Sequence, residues 1–350
     1  MINEHEEIRF GKGYPSLIRF FKGDPAKPLV VFFPGWSYLG RISYGFPGCD
    51  EKQFLAYWIT RKGYSFLATS YPIDHPVYQK VYPSFTLTNW GEMVAQITDE
   101  IISEHGLNNK VINIHWSAAG QVIRPFNVAC KERGVDIKYS LGIETTPALN
   151  IPSDRQKGLR KTRKKLVSIK YPLYDLFWQE ITEQCSINDY DIMTKNQHNK
   201  YFLGDIPVGI TGTSQFYINE KFVEDPVKAQ QDKGFFSFAQ YPLVAVISGN
   251  STLAPYHPIV DKYTWGFLMV RKIYHDTIVN AQRSGVALGK SKLKCLLNFV
   301  DNIPNRLSTN IAGNHFLFVG KKGAKAVSNA LEKFELETDK IMSDISGILR

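Results

Sequence analysis

Four stretches in the first half of the chain are mainly apolar and show no alternation between apolar and polar positions. They are KPLVVFFPGWS (27–37), YSFLATSYP (64–72), KVINIHW (110–116) and DIKYSLGIETTP (136–147). Strands buried on both faces of a parallel sheet have this pattern. We predict a buried strand in each stretch. A short antiparallel pair is predicted before them, in EIRFGKGYPSLIRFF (7–21), where a Gly/Pro turn separates two strand-like runs.

Segments with helical periodicity separate these predicted strands. Asp50 can cap a helix together with Gln53, three residues later. A second helix is predicted over 89–105, where apolar side chains recur on one face. A third is predicted over 118–133, with a bend at Pro125. Alternating strands and helices with short connections are typical of a doubly wound, mostly parallel sheet, and this α/β architecture is the fold class that we predict.

The pattern changes after residue 146. Residues 147–205 are polar, basic and aromatic, which predicts a helical cap inserted over the sheet. Further elements are predicted in the rest of the chain, namely strands at 206–213, 241–249 and 293–301 and helices at 259–284 and 322–349. Because no internal repeat or low-complexity linker occurs, we predict one core domain formed by 1–146 and 206–350, with 147–205 as its cap.

The composition excludes several classes of protein. Of the 350 residues, 43% are hydrophobic, enough for a substantial core. The start, MINEHEEIRF, is too polar for a secretory signal, and no apolar stretch approaches the roughly 18 residues of a membrane span. The cysteines fit neither a zinc motif nor a disulfide framework, and no phosphate-binding glycine motif occurs. We expect a cytoplasmic protein with no cofactor and no metal, and the oligomeric state stays open.

The positive charge of the chain is local. The net charge is +9, but residues 155–170 alone hold eight Lys or Arg and no acid, which leaves 34 basic and 33 acidic residues elsewhere. This basic run is either the solvated face of a helix, a landing site for an anionic group on a substrate or carrier, or a contact for membrane or nucleic acid. Because the rest of the chain is nearly neutral, no nucleic-acid partner is expected.

Three short motifs contain candidate catalytic residues. The first buried strand ends in Pro-Gly-Trp-Ser (34–37), the third is followed by Ser117 and three small residues, and Gly-Asn-His (313–315) precedes the last predicted helix. A serine on a tight strand-to-helix turn requires small neighbours, and the helix N-terminus behind it offers N–H groups to an anion. Ser117 is either such a nucleophile or a small residue where a strand gives way to a helix.

The order of these motifs, within the alternating pattern, resembles that of the α/β-hydrolase superfamily. The stretch HWSAAG (115–120) departs from the G-x-S-x-G of that superfamily, since His115 and Ala119 stand in place of its two glycines. His115 either packs at the strand end or braces the turn. The resemblance implies a sheet with a cap and an acyl-transfer type of site beneath the cap.

The resemblance also implies roles for individual residues. Ser117 would be the nucleophile and His315 the general base, because a hydroxyl is almost wholly protonated at neutral pH without one. The backbone N–H groups of Trp36 and Ala118 would form the oxyanion hole. The alternative interpretation of Gly35 is a type II turn that needs a positive φ.

The acid that orients the histidine is the open part of this interpretation. The stretch VAVISGNSTLAP (244–255), where a carboxylate is expected, contains none. Asp301, at the end of a predicted strand, is ranked first, and Glu144, at the tip of another, is ranked second. Asp261 is a third choice, although it begins a predicted helix.

Other residues are assigned by context. The residues expected to contact substrate are Gly35, Ser37, Tyr71, Trp116 and Trp178, because the aromatic content of the cap and nearby loops suits an apolar substrate. Packing between cap and sheet is the alternative for the aromatic residues. His75 and His257 lie beside prolines in loops, where a surface role is expected.

Three functional hypotheses follow. The first is a serine-dependent esterase, thioesterase or acyltransferase that acts on an apolar or carrier-bound ester or thioester. The second keeps the fold but assigns a cyclisation, rearrangement or elimination, because the acid is displaced and His115 occupies the turn. The third is a non-catalytic binding protein on the same scaffold.

Overall fold

The computed structural model describes residues 1–148, 159–169 and 173–349. The strands in this part of the chain are β1 (Glu6–Gly11), β2 (Tyr14–Phe21), β3 (Leu29–Phe33), β4 (Phe66–Ala68), β5 (Lys110–Trp116), β6 (Asp136–Ile143), β7 (Gln215–Ile218), β8 (Lys221–Glu224), β9 (Val244–Ser248) and β10 (Ser308–Asn310). The α-helices are α1 (Leu55–Arg61), α2 (Leu87–His105), α3 (Ile123–Lys131), α4 (Tyr174–Asn188), α5 (Lys195–Phe202), α6 (Pro226–Lys233), α7 (Tyr256–Tyr274), α8 (Asn280–Arg283), α9 (Lys290–Val300), α10 (Ile303–Arg306) and α11 (Lys321–Leu349). A π-helical turn, His275–Val279, joins α7 to α8, and 3-10 helices occur at Gly40–Ser43, Glu51–Gln53, Ser117–Val122, Val208–Ile210 and Phe238–Gln240.

Eight strands form one sheet in the order β1-β2-β4-β3-β5-β6-β9-β10. The strands from β4 to β10 in this order run parallel, and β2 joins them antiparallel, with β1 antiparallel at the edge. The predicted antiparallel pair and the mostly parallel, doubly wound sheet are confirmed. Since parallel strands end at the same edge, the loops after β3, β5, β6 and β9 come together there.

Both faces of the sheet are covered, which explains the unbroken apolar runs. In β3, side chains alternate between the two cores: Val30 and Phe32 face one, Val31 and Phe33 the other. The first core also contains apolar residues of α1, α7 and α11, and the second contains those of α2 and α3. The central strands therefore expose no polar face to water.

The predicted helices between the strands are confirmed, with changes at their ends. The second helix begins at Leu87, because Thr86 caps it in a capping box with Asn89. The first divides in two, since Asp50 caps only the short 3-10 helix and α1 begins at Leu55. The third starts as a 3-10 helix directly at Ser117.

Several elements lie between β6 and β9 in the described residues. They include α4 and α5, as expected for a helical cap, but also the β7–β8 hairpin and α6. The strand predicted over 206–213 is wrong: Val208–Ile210 form a 3-10 helix, and the main sheet resumes only at β9. The division into a core of 1–146 and 206–350 and a cap of 147–205 stays a prediction.

The basic run is not a helix where the structure describes it. Residues 159–169 form a turn closed by antiparallel bridges of Val167 with Lys161 and Ile206. Lys164 bonds to Asp74 at 2.9 Å. The remaining positions of the run, 155–158 and 170, lie outside the described residues.

The last third of the chain contains a second correction. Residues 293–301 were predicted as a strand, but they belong to α9 and its C-cap, Asp301. The eighth strand of the sheet is instead the three-residue β10 beside β9. The predicted strand over 241–249 and the helices over 259–284 and 322–349 are confirmed as β9, α7 with its π-turn and α8, and α11. Within the described residues, no helix has the length and apolarity needed to cross a membrane.

Candidate active site

Ser117 stands on a sharp turn between β5 and the helix that follows. Its φ is +58°, a left-handed conformation that a non-glycine residue adopts only under strain. The turn is held by the Thr146 N–H, which donates to the Ser117 carbonyl at 2.9 Å. Small neighbours are required, since a Cβ atom at Gly120 would lie 2.3 Å from the Thr145 side chain. The structure thus supports the interpretation of this half-buried serine as one presented on a tight turn.

His115 braces this elbow from below. Its Nδ1 donates to the carbonyl of Ala119 at 2.9 Å, and its ring stacks on Phe33 with centroids 4.2 Å apart. Burial lowers the pKa of His115 to about 3, so the imidazole is neutral. His115 therefore does what both interpretations describe: it packs at the end of β5, and it also supports the turn at Ser117.

The loop before α11 brings His315 to the serine. The His315 Nε2 lies 2.9 Å from Ser117 Oγ, a hydrogen-bond distance. The Trp116 indole N–H donates to the His315 carbonyl at 2.8 Å, which ties this loop to the strand that carries the serine. The imidazole lies between two rings, those of Phe177 at 6.2 Å and His257 at 5.0 Å between centroids. Ring stacking thus holds its plane.

Glu144 is the carboxylate that lies beside this histidine. It follows β6, is fully buried, and places Oε2 at 3.8 Å from His315 Nδ1. Its Oε1 accepts a hydrogen bond from the Gly249 N–H. Asp301, ranked first from sequence, is exposed at the end of α9. That ranking is corrected, because the strand on which it depended is a helix.

The loop after β3 lies directly against Ser117. A Cβ atom at Gly35 would lie 2.9 Å from Ser117 Cβ and 3.1 Å from the Trp116 ring. The φ of Gly35 is not among the positive values of this chain. The type II turn interpretation is therefore wrong, and glycine is needed here for close approach of the backbone.

Tyr71 fixes the shape of this loop. Its hydroxyl accepts from the Ser37 N–H at 2.7 Å and donates to the Gly35 carbonyl at 3.0 Å. Ser37 has a φ of +67°, and Glu144 one of +45°. Together with Ser117, these residues make three strained non-glycine positions at the carboxyl ends of β3, β5 and β6. Such clustering is characteristic of functional sites.

Two backbone N–H groups near Ser117 lack a hydrogen-bond partner among the described residues. Those of Trp36 and Ala118 make no backbone or side-chain hydrogen bond within the described part of the chain. Ala118 is the second residue of the 3-10 helix, whose first N–H groups have no partner within the helix. The Trp36 side chain is fixed separately, through its indole N–H to the Ile210 carbonyl at 3.1 Å.

A cavity of about 750 Å³ opens onto Ser117 and His315. Most of its lining is apolar and comes from the segment between β6 and β9, the loop after β9 and the start of α7. These residues include Leu159, Val167, Ile169, Leu173, Leu176, Phe177, Ile206, Leu253, Ile259 and Val260. The volume lies in the range of small-molecule sites. Four residues of the basic run line the cavity: Leu159, Val167 and Ile169 contribute apolar side chains and Ser168 a hydroxyl, and none of them carries a charge.

The predicted substrate contacts divide into two groups. Ser37 lines the cavity, as expected. Gly35, Tyr71 and Trp116 lie beneath it and shape the turns, and Trp178 packs near His198, with ring centroids 5.7 Å apart. These four are not among the described residues that line the cavity.

Two ionisable groups near the cavity were missed or misjudged from the sequence. Glu180, in α4, lines the cavity, and burial raises its pKa to about 7, against the opposing effect of His315. His257, expected at the surface, is 8% exposed and lines the cavity. Its Nδ1 lies 3.0 Å from Asp261.

The pairing of His257 with Asp261 had a signal in the sequence. The two residues are four apart on α7 and so share a face of the helix. Asp261 also accepts the Thr145 N–H at 2.8 Å, and burial raises its pKa well above the usual range. Asp261, the third choice for the acid beside His315, is thus the hydrogen-bond partner of His257.

Comparisons with known proteins identify the fold. No protein-family model and no curated protein matches the chain. A thermophilic esterase from Thermogutta terrifontis is similar in structure, with a TM-score of 0.51 at 11% identity over 95% of this chain and 99% of that chain. A structure from a study of carboxylesterases of Nitrososphaera gargenis (TM-score 0.44, 10% identity, 95% and 99%) and the epoxide hydrolase CorEH (0.44, 12%, 94% and 98%) are also found. The likeness to the esterase and the strand order show that this chain has the α/β-hydrolase fold.

Proposed function

We propose that this α/β-hydrolase-fold protein is a serine hydrolase that cleaves esters or thioesters with an apolar acyl or alcohol part. The observation that carries the proposal is the 2.9 Å contact between Ser117 Oγ and His315 Nε2, made at a strained turn on the floor of a cavity. A hydroxyl in this position has a base within reach and room for a substrate carbonyl above it.

In the proposed reaction, His315 Nε2 takes the proton of Ser117 as Oγ attacks the carbonyl carbon. The imidazolium then gives that proton to the leaving alcohol or thiol, and an acyl-serine remains. A water molecule, activated by the same histidine, attacks this ester and releases the acid. Glu144 stabilises the imidazolium from the Nδ1 side, where 3.8 Å separates the two groups before the charge develops.

The tetrahedral intermediate carries a negative oxygen that needs donors. The N–H groups of Trp36 and Ala118 are the donors proposed here, on either side of the Ser117 hydroxyl. The close approach of Gly35 to Ser117 supports this placement, since it brings the loop of Trp36 against the nucleophile. Donors of this kind contribute roughly 10²–10³-fold to the rate.

The apolar wall of the cavity supports the proposed substrate class. The wall residues from 159–169, α4 and α7 include no Lys or Arg. The proposal is therefore an ester or thioester with an uncharged, apolar part of moderate size. This substrate class includes thioesters bound to a carrier, and the basic run is the proposed contact for the phosphate of the carrier.

The test is labelling of the full chain with a fluorophosphonate probe, alongside hydrolysis of p-nitrophenyl esters of increasing acyl length. We expect one label per chain and rates that rise from acetate to longer acyl chains. Ser117→Ala should abolish both. Ser168→Ala, which changes another serine of the cavity wall, should keep both.

Thermal unfolding curves of the two variants establish that each is folded. Labelling that survives Ser117→Ala would contradict the proposal, as would a folded wild-type protein that takes up no probe. Hydrolysis limited to charged, hydrophilic esters would overturn the substrate class alone.

A further inference from the structure

Three side chains that can bind a metal ion converge at the histidine of the serine–histidine pair. They are Glu144, His257 and His315, which come from the end of β6, the first turn of α7 and the loop before α11. One carboxylate oxygen and one nitrogen from each ring all lie within 4.8 Å of one another, and all three residues are buried. Two imidazoles and a carboxylate form a ligand set that Zn²⁺ takes in proteins.

The side chains of this cluster are already oriented from outside. His257 Nδ1 is hydrogen-bonded to Asp261 at 3.0 Å, which directs its Nε2 away from that carboxyl. The Gly249 N–H holds Glu144 Oε1. Carboxylate partners of this kind fix metal-binding histidines in their ligating orientation.

One oxygen of the cluster lacks a hydrogen bond. Glu144 Oε2 is buried and has no hydrogen-bond partner among the described residues, although His315 Nδ1 lies 3.8 Å away. A buried carboxylate oxygen in this state is costly and gains from a cation. Since Zn–N and Zn–O bonds are about 2.0–2.2 Å long, small rotations of the three side chains bring their atoms into range.

An ion can reach the cluster from the substrate side. His257 and His315 both line the cavity that opens onto Ser117. The cavity also leaves space for a water molecule as a fourth ligand. Imidazole nitrogens favour Zn²⁺ and its transition-metal neighbours over Mg²⁺ or Ca²⁺.

We propose that Glu144, His257 and His315 form a site for a divalent transition-metal ion, best matched by Zn²⁺, and that the bound ion inhibits the enzyme. The ion binds His315 Nδ1 and Glu144 Oε2, which face each other in the free protein. With Nδ1 bound to the ion, the proton of the neutral imidazole lies on Nε2, so His315 can no longer accept the proton of Ser117. The inhibitory part rests on the proposed serine hydrolysis, whereas the binding part does not.

The binding test is a titration of the metal-free full chain with Co²⁺, followed by visible absorption, and equilibrium dialysis with Zn²⁺. We expect one ion per chain and the absorption bands of Co²⁺ bound by nitrogen. His257→Gln should weaken binding at least tenfold. His75→Gln, which changes a buried histidine bonded to the Lys200 carbonyl, should bind as the wild type does. Equal binding by His257→Gln, or no ion bound by the wild type, would overturn the site.

The inhibition test measures the rate of ester hydrolysis at increasing Zn²⁺ concentrations. The rate of each variant is compared with the rate of the same variant without metal. We expect the wild type and His75→Gln to lose activity in step with occupancy, and His257→Gln to need at least tenfold more Zn²⁺. Identical inhibition curves would refute control through this site. Should the wild type hydrolyse no ester, the proposed function fails, while the Co²⁺ and Zn²⁺ titrations still decide the site.

Discussion

Gly35 and Ser117 lie so close that only a hydrogen atom fits between them on the glycine side. A Cβ atom at residue 35 would be 2.9 Å from Ser117 Cβ, shorter than such carbon contacts allow. The loop after β3 and Ser117 are therefore in direct contact. A side chain as small as methyl at residue 35 must push one of them out of place.

Gly35→Ala should lower kcat for ester hydrolysis by about 10²–10³-fold, because the Trp36 N–H moves with the loop away from the oxyanion. The measurement is steady-state kinetics with a p-nitrophenyl ester. Gly289→Ala is the matched control, since Gly289 has a φ of −66° and open space around its Cβ position. Equal kcat values for the two folded variants would count against the proposed oxyanion loop.

Glu144→Gln should reduce kcat by about 10³–10⁴-fold with little change in KM, because the imidazolium loses its counter-charge and the amide favours the wrong tautomer. Asp301→Asn, at an exposed helix end, should leave both constants unchanged. Kinetics of the two variants with one substrate separate the two candidate acids. Loss of activity in Asp301→Asn instead would reverse the assignment.

Tyr71→Phe should lower kcat by about tenfold and also destabilise the fold, since it leaves the Ser37 N–H and the Gly35 carbonyl without their buried partner. Such loss costs about 1–3 kcal/mol. Tyr78→Phe is the control: the Tyr78 hydroxyl accepts from the Leu17 N–H at 3.0 Å. It should lower the free energy of unfolding by a similar amount and keep kcat. A Tyr71→Phe variant with full activity would show that the loop needs no brace.

His115→Gln should make the free energy of unfolding depend less on pH below about pH 6.5. Because burial lowers the pKa of His115 to about 3, the unfolded chain takes up a proton below pH 6.5 that the folded chain does not. Stability is then lost as pH falls from 6.5 towards 3, by about 1.4 kcal/mol per pH unit at full effect. Urea unfolding at pH 7 and pH 5 measures the difference. Parallel curves for variant and wild type would contradict a neutral, buried imidazole.

The serine and histidine could be found from sequence because their signals are local. Ser117 follows an apolar run and precedes small residues, and His315 stands in a short loop before the last helix. The turn at Ser117 and the 2.9 Å contact place them together. Glu144 could only be ranked, since no local pattern says which strand end faces the histidine in the folded chain.

The error at Asp301 has a physical reason that the sequence also contains. Leu293, Leu296, Leu297 and Val300 recur at helical spacing, although the continuous apolar run also predicts a strand. Of these residues, only Leu296 is buried, whereas Leu293 and Leu297 are exposed, as in a helix at the surface. His257 was misplaced for a related reason, because its partner Asp261 is one helical turn away and not adjacent.

The hydrogen bond from Trp116 to the His315 carbonyl joins residues 199 positions apart. A nascent chain that has not yet reached residue 315 carries the proposed nucleophile, oxyanion loop and acid, but no base. Under the proposed mechanism, hydrolysis therefore cannot begin during synthesis until residue 315 has been made and has folded against β5. Reactivity of Ser117 towards a probe would then report how much of a preparation has reached the native state, as well as what the protein does.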